Sequence, residues 1–135
     1  MLSKPVHAHG LHEAPVGQPV LDPQALQHLS ELDPTGQSRL VQRVLQAFQA
    51  SVARLRPQFE AARASGDRAA LRLVAHTLKS SSASIGAKHL SQLCAQIEAA
   101  IRLETHDGLE TDLDAMGTAL DAVLQAIAQL LRERG

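Results

Sequence analysis

Residues 75–87 read AHTLKSSSASIGA and concentrate the reactive side chains of this chain: His76, Lys79 three residues on, and a run of serines. A solvent-exposed imidazole ordinarily titrates near 6.5, so at neutral pH it keeps one ring lone pair and is a candidate nucleophile. A phosphoryl group attached there would bring negative charge, which Lys79 one turn on and Arg72 one turn back are placed to offset. The serines suggest a second chemistry. Serine catalysis needs a base beside the hydroxyl and an acid behind that base, and no such Ser-His-Asp set is legible. The plainer alternative is an ordinary helix with a surface histidine and small packing serines, and these residues by themselves leave both readings open.

The element that carries them is a helix expected from Arg68 to Ser84, started by an Asp67 cap and closed by Gly86. At about 100° per residue, Leu71, Val74, Ala75, Leu78, Ser82 and Ile85 gather on one face, the stripe that enters a core. His76 lies about 160° from the centre of that stripe and is expected in solvent. Arg72, Lys79, Ser80 and Ala83 are its neighbours on the same outer surface. Ser80 and Ala83 are small and leave the ring standing clear, so a concave partner site can close over it. Leu73, outside the stripe on the side of Ser80, offers such a partner an apolar contact.

Further helices are expected on either side. Asp22-Pro23 reads as an N-cap with proline at the first helical position, opening a short helix to about Leu32 with Leu26 and Leu29 inward. Asp33-Pro34-Thr35-Gly36 is a turn. Leu40, Val41, Val44, Leu45, Phe48, Val52, Leu55 and Phe59 then recur by threes and fours along a long helix that Pro57 should kink, ended by Gly66. A fourth helix is expected from Lys88 to Leu103 and buries Leu90, Leu93, Cys94, Ile97 and Ile101. After the break Thr105-His106-Asp107-Gly108, a last one runs from Leu109 to Arg132. Four long amphipathic helices joined by short turns favour an all-α, antiparallel four-helix bundle with a short extra N-terminal helix.

The domain organisation expected is a flexible N-terminal segment or linker at residues 1–20, rich in proline and glycine, and the bundle at 21–135. His7, His9 and His12 invite a metal reading, but they lack Cys or acidic partners at ligand spacing and read as solvated tail residues. With 135 residues the chain can bury a core without metal or disulfide, and its single cysteine reads as a buried thiol in a reducing compartment. No apolar run approaches the roughly 20 residues that span a bilayer, and no signal-peptide core is present, so a soluble, cytoplasmic protein is expected. A net charge of -1 and the absence of Trp and Tyr speak against a nucleic-acid footprint.

The string AHTLKSSSASIGAKHLSQLCAQIE resembles the signature of histidine-containing phosphotransfer domains: His-x-Leu-Lys, small residues, Gly-Ala, then a helix with Leu90, Cys94, Ile97 and Glu98 in register. The resemblance runs over roughly residues 21 to 131. It implies a four-helix bundle without kinase activity of its own. By that likeness His76 carries a phosphoryl group taken from the aspartyl phosphate of one receiver domain and given to the aspartate of a response regulator. Lys79 is the basic neighbour, and the Gly86 region permits close helix approach. The magnesium for transfer belongs to the receiver, so no cofactor is expected of this chain; receiver domains are its expected partners and a monomer its expected state. The likeness also fits the C-terminal domain of a hybrid sensor kinase, tethered to the inner membrane through the rest of that protein.

Two positions depart from the family pattern. Ser80 stands where glycine is frequent, and Glu98 where glutamine is frequent. Glu98 flanks the buried stripe of its own helix, so it either faces the third helix, within reach of His76 Nδ1, or remains a surface carboxylate. Two other functions compete. The phosphoacceptor and dimerisation domain of a histidine kinase usually has an acidic residue directly after its histidine, where this chain has Thr77; a helical scaffold would carry no phosphate at all.

Overall fold

The structure, a computed structural model, describes residues 19–105 and 107–134. Those residues form α1 (Pro23–Glu31), α2 (Leu40–Ser65), α3 (Arg68–Ser84), α4 (Lys88–Arg102) and α5 (Leu109–Arg134), with no strand among them. Packing of α2 on α3, α3 on α4, α4 on α5 and α5 back on α2 closes an antiparallel four-helix bundle, with α1 laid against α2. The expected N-terminal segment, with His7, His9 and His12, lies outside the described residues save for its last two.

The helical stripes meet in one core. Leu45, Leu78, Ile85, Leu90, Leu93, Ile97, Leu113, Met116 and Ile127 are almost wholly removed from water. Burying each such side chain contributes about 1.5–3 kcal/mol, which supplies the main drive for folding. Cys94 is buried among them, and desolvation, reinforced by the charge of Glu98, pushes its thiol up to about 12. Leu26, Leu29, Val44 and Phe59 pack against this core only in part, and Ala62 enters it one turn past the expected α2 stripe.

Helix ends follow the local chemistry, with shifts of one or two residues from the sequence expectation that are ordinary for fraying termini. Asp22 accepts from Gln24 N at 3.0 Å, and Asp67 accepts from Ala70 N at 3.1 Å, so each caps its helix by filling an orphan donor. The start of α2 is capped from a distance. Asp33 accepts from Ser38 N at 3.3 Å and Leu40 N at 3.1 Å, while Arg39 takes a left-handed φ of 51°. Pro57 lies inside α2, and the helix runs unbroken through it. The carbonyl it leaves without an intrahelical donor is that of Ala53, and both residues are solvent-exposed, so water can take the place of the missing N–H.

Candidate functional site around His76

The outward face of α3 presents His76 as its phase requires: the side chain is 57% exposed. What the phase of α3 does not set is what comes to meet it from α4. Glu98, buried on the groove side of α4, directs its two carboxylate oxygens at two different residues of α3. Oε2 lies 2.7 Å from His76 Nδ1, and Oε1 accepts from Lys79 Nζ at 2.7 Å. Lys79 bonding, first, and then His76 bonding hold the Glu98 carboxyl below its ordinary range, against a desolvation that pushes the other way. Glu98 is therefore ionised at neutral pH and acts only as acceptor, so the proton between it and the imidazole sits on Nδ1. In the neutral imidazole the lone pair is then on Nε2.

Lys79 differs from its expected place. It is half-buried and tied to Glu98 instead of standing free beside the imidazole, because a carboxylate sheltered in the α3/α4 groove is a stronger partner for an ammonium than water. Arg72, Leu73, Ser80 and Ala83 are exposed on α3 as expected, with Leu73 63% accessible. Two serines of the run turn their hydroxyls back onto the helix. Ser81 Oγ donates to the Thr77 carbonyl at 3.0 Å and Ser84 Oγ to the Ser80 carbonyl at 3.1 Å, while Ser82 is wholly buried. The hydroxyls of Ser81 and Ser84 are thus spent on main-chain carbonyls and on no side-chain base.

Gly86 serves a closer approach than that of two bundle helices. It has φ of 80°, and a Cβ built on it would lie 2.8 Å from Ala25 Cβ and 2.9 Å from Asp22 N. Its carbonyl accepts from Asp22 N at 2.9 Å, and Lys88 pairs with Asp22 at 2.9 Å, so the start of α1 is pinned to the α3–α4 turn. Sequence reasoning missed this pairing, the capping by Asp33, and the Gln96 amide that donates to both oxygens of buried Asp112 at 3.3 Å. The only signals were an Asp before a Pro, an Asp at a turn and an Asp within a helix, none of which names its partner.

An all-helical bundle with a displayed imidazole, oriented from the adjacent helix, defines the class: a histidine-bearing helical domain. The Hpt domain family matches residues 43–131, and the chain belongs to that family. Among solved structures, the histidine-containing phosphotransfer protein B (HptB) from Pseudomonas aeruginosa PAO1 is similar, with a TM-score of 0.73 and 27% sequence identity. The similarity covers 87% of this chain and 98% of that one. No curated protein sequence matches the chain.

Proposed function

We propose that this domain is a phosphorelay intermediate in which His76 takes a phosphoryl group from the aspartyl phosphate of a receiver domain and passes it to the aspartate of a response regulator. The observation that carries the reading is the free Nε2 of an exposed imidazole whose other nitrogen is bonded to Glu98. Family membership and the likeness to HptB support the same assignment.

The step is an in-line displacement. The Nε2 lone pair attacks phosphorus, the N–P bond forms, and the P–O bond to the receiver's carboxyl breaks, its electron pair leaving with that carboxylate. The Nδ1 proton stays where it is. The positive charge that develops on the ring faces the Glu98 carboxylate, which is already in place when the reaction begins. In the reverse direction an acceptor carboxylate attacks phosphorus and the N–P electron pair returns to Nε2. Ser80 and Ala83 leave room for the receiver, and Leu73 offers it an apolar contact. The magnesium ion belongs to the receiver's side of the interface.

Incubating the purified domain with ATP alone and with a phosphorylated receiver tests the reading. Acid-labile, base-stable phosphate is expected only with the receiver, and none is expected in His76→Ala. Labelling by ATP alone, or label retained in His76→Ala, would overturn the assignment.

A further inference from the structure

Lys79 is committed to Glu98, which leaves open which cations meet the phosphoryl group itself. Two contacts set the register of the α3/α4 groove. Arg68 Nη2 donates to the Thr105 carbonyl at 3.0 Å, and His76 Nδ1 meets Glu98 at 2.7 Å. Arg72 lies midway between Arg68 and His76, one turn from each and on the same side of α3. Arg102 is one turn beyond Glu98 on the matching side of α4, midway between Glu98 and Thr105. The register therefore sets Arg72 and Arg102 at one level across the groove, one helical turn from the imidazole. Both are exposed, and neither has an ion pair or side-chain hydrogen bond among the described residues. Several other arginines are tied down: Arg56 to Asp121, Arg63 to Glu110 and Asp114, and Arg43, Arg54 and Arg132 to nearby carbonyl, hydroxyl or amide oxygens.

Two like charges facing each other are unfavourable without an anion between them. Guanidinium groups are suited to that anion, since each offers a planar fork of donors that matches phosphate oxygens. Helices in contact are roughly 8–10 Å apart, so arginines at one level can converge on a single group above the groove.

We propose that Arg72 and Arg102 form a two-guanidinium site that receives the phosphoryl oxygens of the group carried on His76, beside a Lys79 whose ammonium is shared with Glu98. The site rests on the carrier reading for its purpose, but it can be tested without it. No bond is made or broken at the arginines; they neutralise oxygens that are anionic before, during and after transfer.

The first test is a titration of the full chain with inorganic phosphate, followed through the side-chain Nε–Hε resonances of its arginines. Arg72 and Arg102 are expected to shift together and saturably, in wild type and in His76→Ala alike. A drift no different from that of the remaining arginines would overturn the site, whatever His76 does. The second test uses phosphoramidate, a donor without a protein surface. Arg72→Ala and Arg102→Ala are each expected to slow labelling of His76 roughly tenfold, the loss of one charge-assisted hydrogen bond, with partial recovery in the lysine variants. Unchanged labelling by phosphoramidate alongside slowed labelling by a phosphorylated receiver would make the arginines contacts for an acidic protein surface and would also overturn the proposal. If His76 of the wild type took no label from any donor, the carrier reading would fall, and the phosphate titration would still decide the arginine site.

Discussion

Glu98 has one oxygen on the proton that sets the tautomer of His76 and one on the ammonium that keeps the carboxylate ionised. Glu98→Ala removes both, and phosphorylation by a receiver should slow by about 10- to 100-fold, the range for loss of an orienting partner. Glu98→Gln keeps an acceptor for Nδ1–H and should retain most of the rate. Imidazole 15N shifts separate orientation from mere packing: Nδ1–H should dominate in wild type and Glu98→Gln, and become mixed in Glu98→Ala. The same carboxylate gives a pH dependence. Its folded pKa lies below the ordinary 4.5, so its stabilising contribution is fully present above that value and is lost as pH falls through the depressed one. Denaturant melts of wild type and Glu98→Gln should therefore differ at neutral pH and converge as pH drops below 4.5.

At the scale of elements, two glycines with the same left-handed φ of about 75–80° do different work. A Cβ at Gly66 would meet nothing within 4 Å, so Gly66→Ala should cost only the backbone term, about 1–2 kcal/mol. A Cβ at Gly86 would strike the backbone of Asp22, so Gly86→Ala should cost more and should expose α1 to proteolysis while α2–α5 stay folded. Equal losses for the two variants in denaturant titrations would remove Gly86 from the docking of α1. Of these facts the sequence carried half. A Gly-Asp or Ile-Gly-Ala boundary is a local backbone requirement and can be read from a single strand of residues. The close approach of Asp22 to Gly86 joins segments more than 60 positions apart and has no local trace.

Across the whole molecule a net charge of -1 hides an uneven distribution. Helices α3 and α4 together hold Arg68, Arg72, Lys79, Lys88 and Arg102 against the single acid Glu98, whereas α5 holds Glu110, Asp112, Asp114, Asp121 and Glu133 against Arg132 and Arg134. The imidazole therefore stands on the basic side, a field suited to steering a partner whose own phosphorylation site is acidic. Association with a phosphorylated receiver should slow as ionic strength rises from about 0.01 to 0.15 M, because the Debye length shrinks from about 30 to 8 Å. A stopped-flow rate independent of salt would count against electrostatic steering by this face.

The sequence by itself determined the helices, their inward stripes and the outward direction of His76, because each follows from a repeat of 3.6 residues and from caps that act within one turn. Family likeness was also legible there, since His76, Lys79 and Gly86 lie on one continuous stretch. Only the tertiary structure decided that Glu98 bonds the imidazole instead of facing water, that Lys79 belongs to Glu98, and that Arg68 reaches the Thr105 carbonyl. Those three outcomes depend on how α4 slides and rotates against α3. That register is set by the fit of many core side chains at once, and no local pattern encodes it.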